Sequence, residues 1–281
     1  DWCVEYPFVV LTPDSEAEMA ALVAGCIELG LTIVPRGGGT SQCGQTVGAG
    51  LVIDHSKHVR NIVTFDADQR SVTVEPGMVL DHLNAELKRL GLWFPVDVST
   101  SAQATLGGMA GNNSCGSRSI AYGNMVHNVL GVKAWLSDGT PIQMGAFDQS
   151  SGRAKSIGEF VQQLALQLKP ELEAHWPKVL RRVAGYNLDI FHNQNEKPYT
   201  GDGSVNLAHL LVGSEGMLAV TTEVTVKLVP KPQLARCIMA SFDDVRKAGE
   251  AVAAVIAAGI IPAGLEMMDG PMTAAVEDFV H

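Results

Sequence analysis

The chain has 281 residues, 46% of them apolar and 18% charged, with a formal charge of −10. That apolar share supports a buried core and excludes a disordered chain, while the acidic balance disfavours non-specific binding to nucleic acid or anionic membranes. No apolar run reaches the roughly 18 residues of a membrane span, and the longest candidate, Ala251 to Ile261, stops at Pro262 and reads as a core helix.

The first unit reads strand, helix, strand. Phe8 to Leu11 is a short apolar run closed by Pro13. Ser15-x-x-Glu18 has the form of a capping box, and Met19, Leu22, Val23, Cys26 and Ile27 follow at helical spacing before Gly30. Leu31 to Val34 and Leu51 to Ile53 are strands on either side of a glycine loop. A second unit begins near Ile62. Ser71 to Glu75 alternates as a half-buried strand, and Leu80, Leu83, Leu87 and Leu90 mark a helix closed by Gly91.

After Phe94-Pro95 a Ser/Thr/Gly/Asn stretch runs to Gly123. Val129 to Leu136 reads as a strand with a hairpin turn at Asp138-Gly139, Glu159 to Leu168 as a helix, and Leu218 to Val229 as a long strand ended by Pro230 and Pro232. His192 to Ser204 is polar and Gly-rich and reads as a mobile surface loop, inserted before the last long strand. Beyond Pro232 a new unit starts, with strands at Cys237 to Phe242 and Ile260 to Met267 around a helix from Asp243 to Ala258.

Five cysteines (Cys3, Cys26, Cys43, Cys115, Cys237) are an odd number without Cys-x-x-Cys, so reduced thiols in a cytoplasmic setting are expected, with or without peripheral attachment to a membrane. His55 and His58 lack nearby carboxylates to complete a ligand set, and no metal site is expected. The chain opens on Asp1 rather than Met, which implies a trimmed N-terminus.

Two glycine-rich segments carry the chemistry. Pro35-Arg36-Gly37-Gly38-Gly39-Thr40-Ser41 follows a strand directly and leads to Gly44, Gln45 and Thr46. Adjacent glycines cost about 1 kcal/mol each in folding entropy relative to Ala. Such a cost is tolerated where backbone N–H groups form a concave nest for phosphate oxygens. The plain alternative is a tight strand connection. The spacing approaches a P-loop, but Gln45 replaces its lysine and Val47 to Gly50 leads into a strand rather than a helix. No Gly-x-Gly-x-x-Gly precedes a helix, which disfavours a nicotinamide dinucleotide site. Thr105 to Gly116 is the second segment, nearly free of bulky side chains. It reads either as a surface along which a flat cofactor lies or as a helix packed closely on a sheet. Together the two suggest one elongated ligand with a diphosphate.

These motifs, with Val72-Thr73-Val74-Glu75-Pro76-Gly77, Tyr122-Gly123, Gly185-Tyr186-Asn187-Leu188 and Gly213-Ser214-Glu215-Gly216, occur in the order of a known family. The chain resembles the FAD-binding domain of the vanillyl-alcohol oxidase/p-cresol methylhydroxylase type, most of all in the FAD-linked D-2-hydroxy acid dehydrogenases acting on D-lactate, glycolate or D-2-hydroxyglutarate. The resemblance implies an α+β fold: a two-subdomain FAD-binding domain over residues 1–232, then the start of a truncated α+β substrate (cap) domain over 233–281. Gly264-Leu265-Glu266-Met267-Met268-Asp269 resembles the opening of that cap.

The resemblance further implies that Arg36, Gly37, Gly38, Gly39, Thr40 and Ser41 hold the FAD diphosphate with Gln45 beside it. Thr100, Thr105, Gly107, Gly108, Gly111, Asn112 and Cys115 would line the flavin and its linker, and Val220 and Thr221 the other end of the cofactor. Thr40 stands where some relatives carry a histidine bonded covalently to the flavin, so non-covalent FAD is expected. Met217-Leu218-Ala219 departs from the family's Gly-Thr-Leu-Gly, and Ala219 adds a methyl group there.

The implied reaction is oxidation of a 2-hydroxy acid by hydride transfer to flavin N5, with an electron acceptor of unspecified chemistry. Arg181, Arg182 and Lys227 are the cations near family motifs that could anchor a carboxylate, although each also reads as solvated surface charge. Glu215 reads as orienting its loop, and no catalytic base is assigned. The family's metal-binding histidines and substrate arginine would fall after residue 281, so the chain is expected to be a piece of a longer protein. The alternatives are a P-loop-like nucleotide-binding protein and an FAD-binding module without activity of its own.

Overall fold

The structure is a computed structural model that describes residues 6–192 and 197–277. Strand β1 (Val9–Leu11), helix α1 (Glu16–Leu29), β2 (Ile33–Arg36) and β3 (Leu51–Asp54) form the first unit. Its parallel sheet has the order β1-β3-β2, with β3 inserted between the strands that α1 connects. Met19, Val23 and Cys26 form the buried stripe of α1, the spacing expected for one helix face.

The α1 cap departs from the ideal box. Ser15 Oγ accepts the Glu18 N–H at 3.3 Å, but the Glu18 carboxylate accepts the N–H of Asp14 at 2.8 Å, one residue before the cap. Gly30 closes the helix at φ 64°, a left-handed conformation that costs glycine no Cβ clash.

The second unit contains β4 (Ile62–Asp66), β5 (Ser71–Val74), α2 (Leu80–Lys88), β6 (Leu92–Trp93), α3 (Leu106–Asn112), α4 (Ser119–Tyr122), β7 (Val129–Leu136), β8 (Pro141–Met144), α5 (Gly152–Gln167), α6 (Lys169–His175), α7 (Ala208–Leu211), β9 (Ala219–Lys227) and β10 (Val229–Pro230). Its antiparallel sheet runs β4-β5-β9-β7-β8, so the last long strand inserts between strands laid down much earlier. In β9, Val220, Thr222, Val224 and Val226 alternate inward. Val224 and Val226 face Val74 and Val72 across β5, and this face packs on Leu83, Leu87, Leu106 and Met109 of α2 and α3. On the other face the Thr73 and Thr225 hydroxyls lie 2.8 Å apart. β6 pairs antiparallel with β10.

A smaller core joins the units: Val23 and Cys26 of α1, Leu51 and Ile53 of β3, and Val220 of β9. The loop from β2 to β3 lies at this seam.

One open alternative is decided and two expectations change. The first part of Thr105 to Gly116 takes the helix reading, as α3, because Thr105 caps the turn and Leu106, Met109 and Ala110 all bury on one face. Helix α5 begins at Gly152, seven residues before Glu159, through a glycine at φ 53° that the pattern of apolar residues does not mark.

Beyond residue 232 there are no strands at 237–242 or 260–267. Neither stretch pairs into a sheet among the described residues, and Ile238 and Met239 stay 90% and 89% exposed. Only the helix is formed as expected, α8 (Val245–Ala257), followed by α9 (Gly270–Glu277). Residues 193–196 of the expected surface loop lie outside the described residues. Tyr199, from the same stretch, is half-buried against Asp189 and Arg182.

Candidate functional site: a cleft between two glycine-rich segments

The first segment leaves β2 at Arg36, which pairs with Asp54. The Arg36 guanidinium folds back across the turn and donates to the Thr46 carbonyl at 3.3 Å. A Cβ on Gly39, at φ 66°, would overlap that guanidinium. A Cβ on Gly37 would strike Thr105 Oγ1, and one on Gly38 the Gln103 carbonyl. These glycines therefore let the turn lie flat against residues 103–108. The main-chain N–H groups of Gly37, Gly38, Gly39, Thr40 and Ser41 meet no protein acceptor among the described residues. These five residues are half-buried along a cleft, so their donors stay free for an acceptor that is not protein.

Thr105 caps α3 by accepting the Gly108 N–H at 3.4 Å. Gly107 faces away from the first segment, where a Cβ would lie 2.5 Å from Pro76 Cβ. Gly108 faces it, with its Cα 3.5 Å from where a Gly37 Cβ would stand. At the helix end Asn113 takes φ 53°. Its carboxamide accepts the Val126 N–H at 3.0 Å and donates to the Arg182 carbonyl at 3.5 Å. A third turn closes this end. The Glu215 N–H donates to the Gly111 carbonyl at 2.9 Å, and its carboxylate accepts from Asn112 Nδ2 at 2.9 Å. Glu215 thus orients the loop, as its position in the motif suggests.

Between the segments lies a cleft of about 340 Å³. Of the residues expected at a cofactor, it is lined by Arg36, Gly37, Gly38, Gly39, Thr40, Ser41, Gln45, Thr100, Thr105, Gly108, Asn112 and Cys115. Four others do not line it. Gly107 packs on Pro76 and Gly111 on the Glu215 turn. Val220 is buried in the small core, and Thr221 pairs with Ala134 inside the sheet. Val98, Ser99, Asn113, Ser114 and Val183 line the cleft without having been singled out. Asn113 had a readable signal, an Asn just past a run of small residues, where the left-handed conformation is tolerated. Val183 had none, because it reaches the cleft from a distant loop.

A second cavity of about 630 Å³ adjoins the first and shares Val98, Ser99 and Cys115 with it. Burial pushes the Cys115 thiol pKa up, against the opposing pull of the Arg181 charge. Arg181 lines this second cavity. Arg182 does not: it is buried in an ion pair with Asp189 at 3.1 Å and stacks 4.6 Å from the Trp176 ring centre. Lys227 lines neither cavity. Among the described residues no three His, Cys, Asp or Glu side chains cluster as a metal site, and no helix is long and apolar enough to cross a membrane.

A family model described as an FAD binding domain matches residues 7–145, and one described as the C-terminal domain of FAD linked oxidases matches 231–281. The chain belongs to the FAD-linked oxidases. It is 31% identical over 275 residues to a glycolate oxidase subunit GlcD of Bacillus subtilis, covering 97% of this chain and 48% of that protein. Against a D-2-hydroxyglutarate dehydrogenase of Pantoea ananatis identity is 34% over 248 residues, 84% of this chain and 24% of the relative. A probable mitochondrial D-lactate dehydrogenase of Danio rerio is 31% identical over 97% of this chain and 45% of its own length. The chain thus spans half or less of these relatives.

Among solved structures, an alkyldihydroxyacetonephosphate synthase aligns with TM-score 0.61 at 18% identity, over 90% of this chain and 40% of that one. That likeness supports the fold alone. The FAD-linked oxidase fold, with its parallel and antiparallel sheets joined at a seam, is the one expected from the motifs.

Proposed function

We propose that the cleft binds FAD non-covalently and that the parent protein oxidises a 2-hydroxy acid of the D-lactate, glycolate or D-2-hydroxyglutarate kind. The observation that carries this reading is the row of unpaired amides from Gly37 to Ser41 lining the cleft. Amides in such a turn suit a diphosphate, and they can hold an anion despite the net negative charge of the chain. Thr40 and Ser41 add hydroxyl donors, and Gln45 closes its own loop by accepting the Cys43 N–H at 3.2 Å. Thr105, Gly108, Asn112 and Cys115 offer the opposite wall, smooth enough for a flat ring system.

Bound there, FAD supplies the hydride acceptor. The chain's own residues bind and orient it. Arg36 fixes the turn from within, and Glu215 with Asn112 fixes the far end. Thr40 offers no nucleophilic nitrogen, which favours non-covalent binding. Gly107, Val220 and Thr221 would then act from behind, by letting α3 approach Pro76 and by seating β9, while Gly111 stands beside the Glu215 turn with room for a methyl group. We place the boundary of the FAD-binding domain near residue 232, with a cap domain beginning at 233.

The P-loop alternative is disfavoured by the course of the chain, since the turn runs on into β3 and opens no helix. Titrating the cofactor-free chain with FAD, FMN and ATP with Mg²⁺ tests the assignment. FAD is expected to saturate at one equivalent, while FMN, which lacks the diphosphate bridge, binds far more weakly. Equal binding of all three, or tight binding of ATP alone, would contradict it.

A further inference from the structure

The 630 Å³ cavity meets the proposed flavin cleft along Val98, Ser99 and Cys115, and two cations stand on its wall. Arg181 directly precedes Arg182 in the chain, and Lys197 comes from the polar stretch between residues 192 and 204. Both are held by main-chain carbonyls only. Arg181 Nη1 donates to the Gly116 carbonyl at 3.2 Å and Lys197 Nζ to the Ala121 carbonyl at 3.2 Å. Neither has a carboxylate at ion-pair distance among the described residues. Two cations facing one cavity, neither of them ion-paired among the described residues, are a feature to explain.

Two carboxylates, Asp97 and Glu266, line the same cavity, but neither lies at ion-pair distance from Arg181 or Lys197. Asp97 is engaged by the Ser117 hydroxyl at 2.9 Å and the Arg118 N–H at 3.1 Å. Desolvation, and the charge of Lys227, lower the pKa of Lys197, as expected of a cation lacking an anionic partner.

The position of Arg181 is also fixed. Asn113 and Asn124 both donate to the Arg182 carbonyl, and the Arg182 side chain is locked by Asp189, Asn187 and Tyr199. The residue before it is therefore presented to the cavity from a rigid support.

We infer that Arg181 and Lys197 receive the carboxylate of an organic acid in this second cavity, beside the flavin cleft. The inference rests on the FAD reading above only for the direction in which the acid faces. A charge-assisted hydrogen bond to a carboxylate is the strongest contact this wall can make.

The test is isothermal calorimetry with 2-oxoglutarate as the probe, on the FAD-loaded chain and on the FAD-free chain. The variants are Arg181→Gln, Lys197→Gln and the double substitution, with Arg89→Gln as a control on the solvent-exposed Arg89–Glu86 pair. Each single change is expected to weaken binding about tenfold or more, the double change to abolish it, and the control to leave it unaltered. Wild-type affinity should fall as salt rises. Unchanged affinity in the double variant, or no binding to the wild type in either form, would overturn the inference. Failure of the chain to take up FAD would instead overturn the cofactor reading, because the FAD-free titration still reports on the two cations.

Discussion

At the scale of single residues, the glycines of the two segments serve two different ends. Gly38 is needed by its neighbour, since any Cβ there would meet the Gln103 carbonyl. Gly111 is not so constrained, its nearest contact being the Glu215 Cα at 3.9 Å. Gly38→Ala is therefore expected to lower the melting temperature and the affinity for FAD together, because backbone must move. Gly111→Ala should leave both near wild type or raise stability slightly, as helix propensity favours Ala by about 1 kcal/mol. Thermal denaturation with FAD titration of both variants checks this. An unaffected Gly38→Ala protein would mean that the two segments do not pack as described.

Elements are held together by buried polar groups as much as by the apolar core. His55, His127 and His209 are buried, and burial pushes the pKa of each down to about 4. His209 Nε2 lies 3.1 Å from the Val129 carbonyl, and the Tyr199 ring stands edge-on between His127 and His209. Each group is neutral when folded, but in the unfolded chain it titrates near 6.5. Between about pH 6.5 and 4 the unfolded state therefore binds more protons, and stability falls as pH falls through that window. Melting temperature measured from pH 7.5 to 4 should drop steadily below 6.5. Replacing His209 with Gln should flatten the slope, and an unchanged slope would contradict the account.

The sequence pattern made the regular elements legible wherever one face alone is buried. The stripe of α1, the alternation of β9 and the leucines of α2 all fell close to their observed bounds. α3 was legible only as one of two readings because its residues are too small to show a period, and the start of α5 escaped because its first turn opens on glycine. The cleft was legible as two clusters with a shared ligand. Its far wall was not, because Val183 comes from long-range folding. The same is true of the choice among the three cations: only the folded chain separates Arg182, buried in its ion pair, from Arg181, which faces a cavity.

Over the whole molecule, the buried core ends at Leu228, and none of the described residues from 231 to 277 is buried. The apolar face of α8 contributes nothing to either core. Ending the chain at Pro232 is therefore expected to shift the melting temperature by only about 2 °C, since no large apolar area is uncovered. A fall of 10 °C or more would show that the C-terminal segment is part of the folding unit, against the proposed boundary. That segment approaches the site at Gly264 to Glu266, where Gly264 packs near Ser117 beside the second cavity.

The most direct measurement is chemical. The chain is purified, its visible spectrum recorded, the protein denatured with acid, and the nucleotide in the supernatant identified by chromatography and mass. The account predicts a yellow protein that releases close to one equivalent of intact FAD. A colourless protein that refuses added FAD, or a flavin that stays with the precipitated chain, would contradict it.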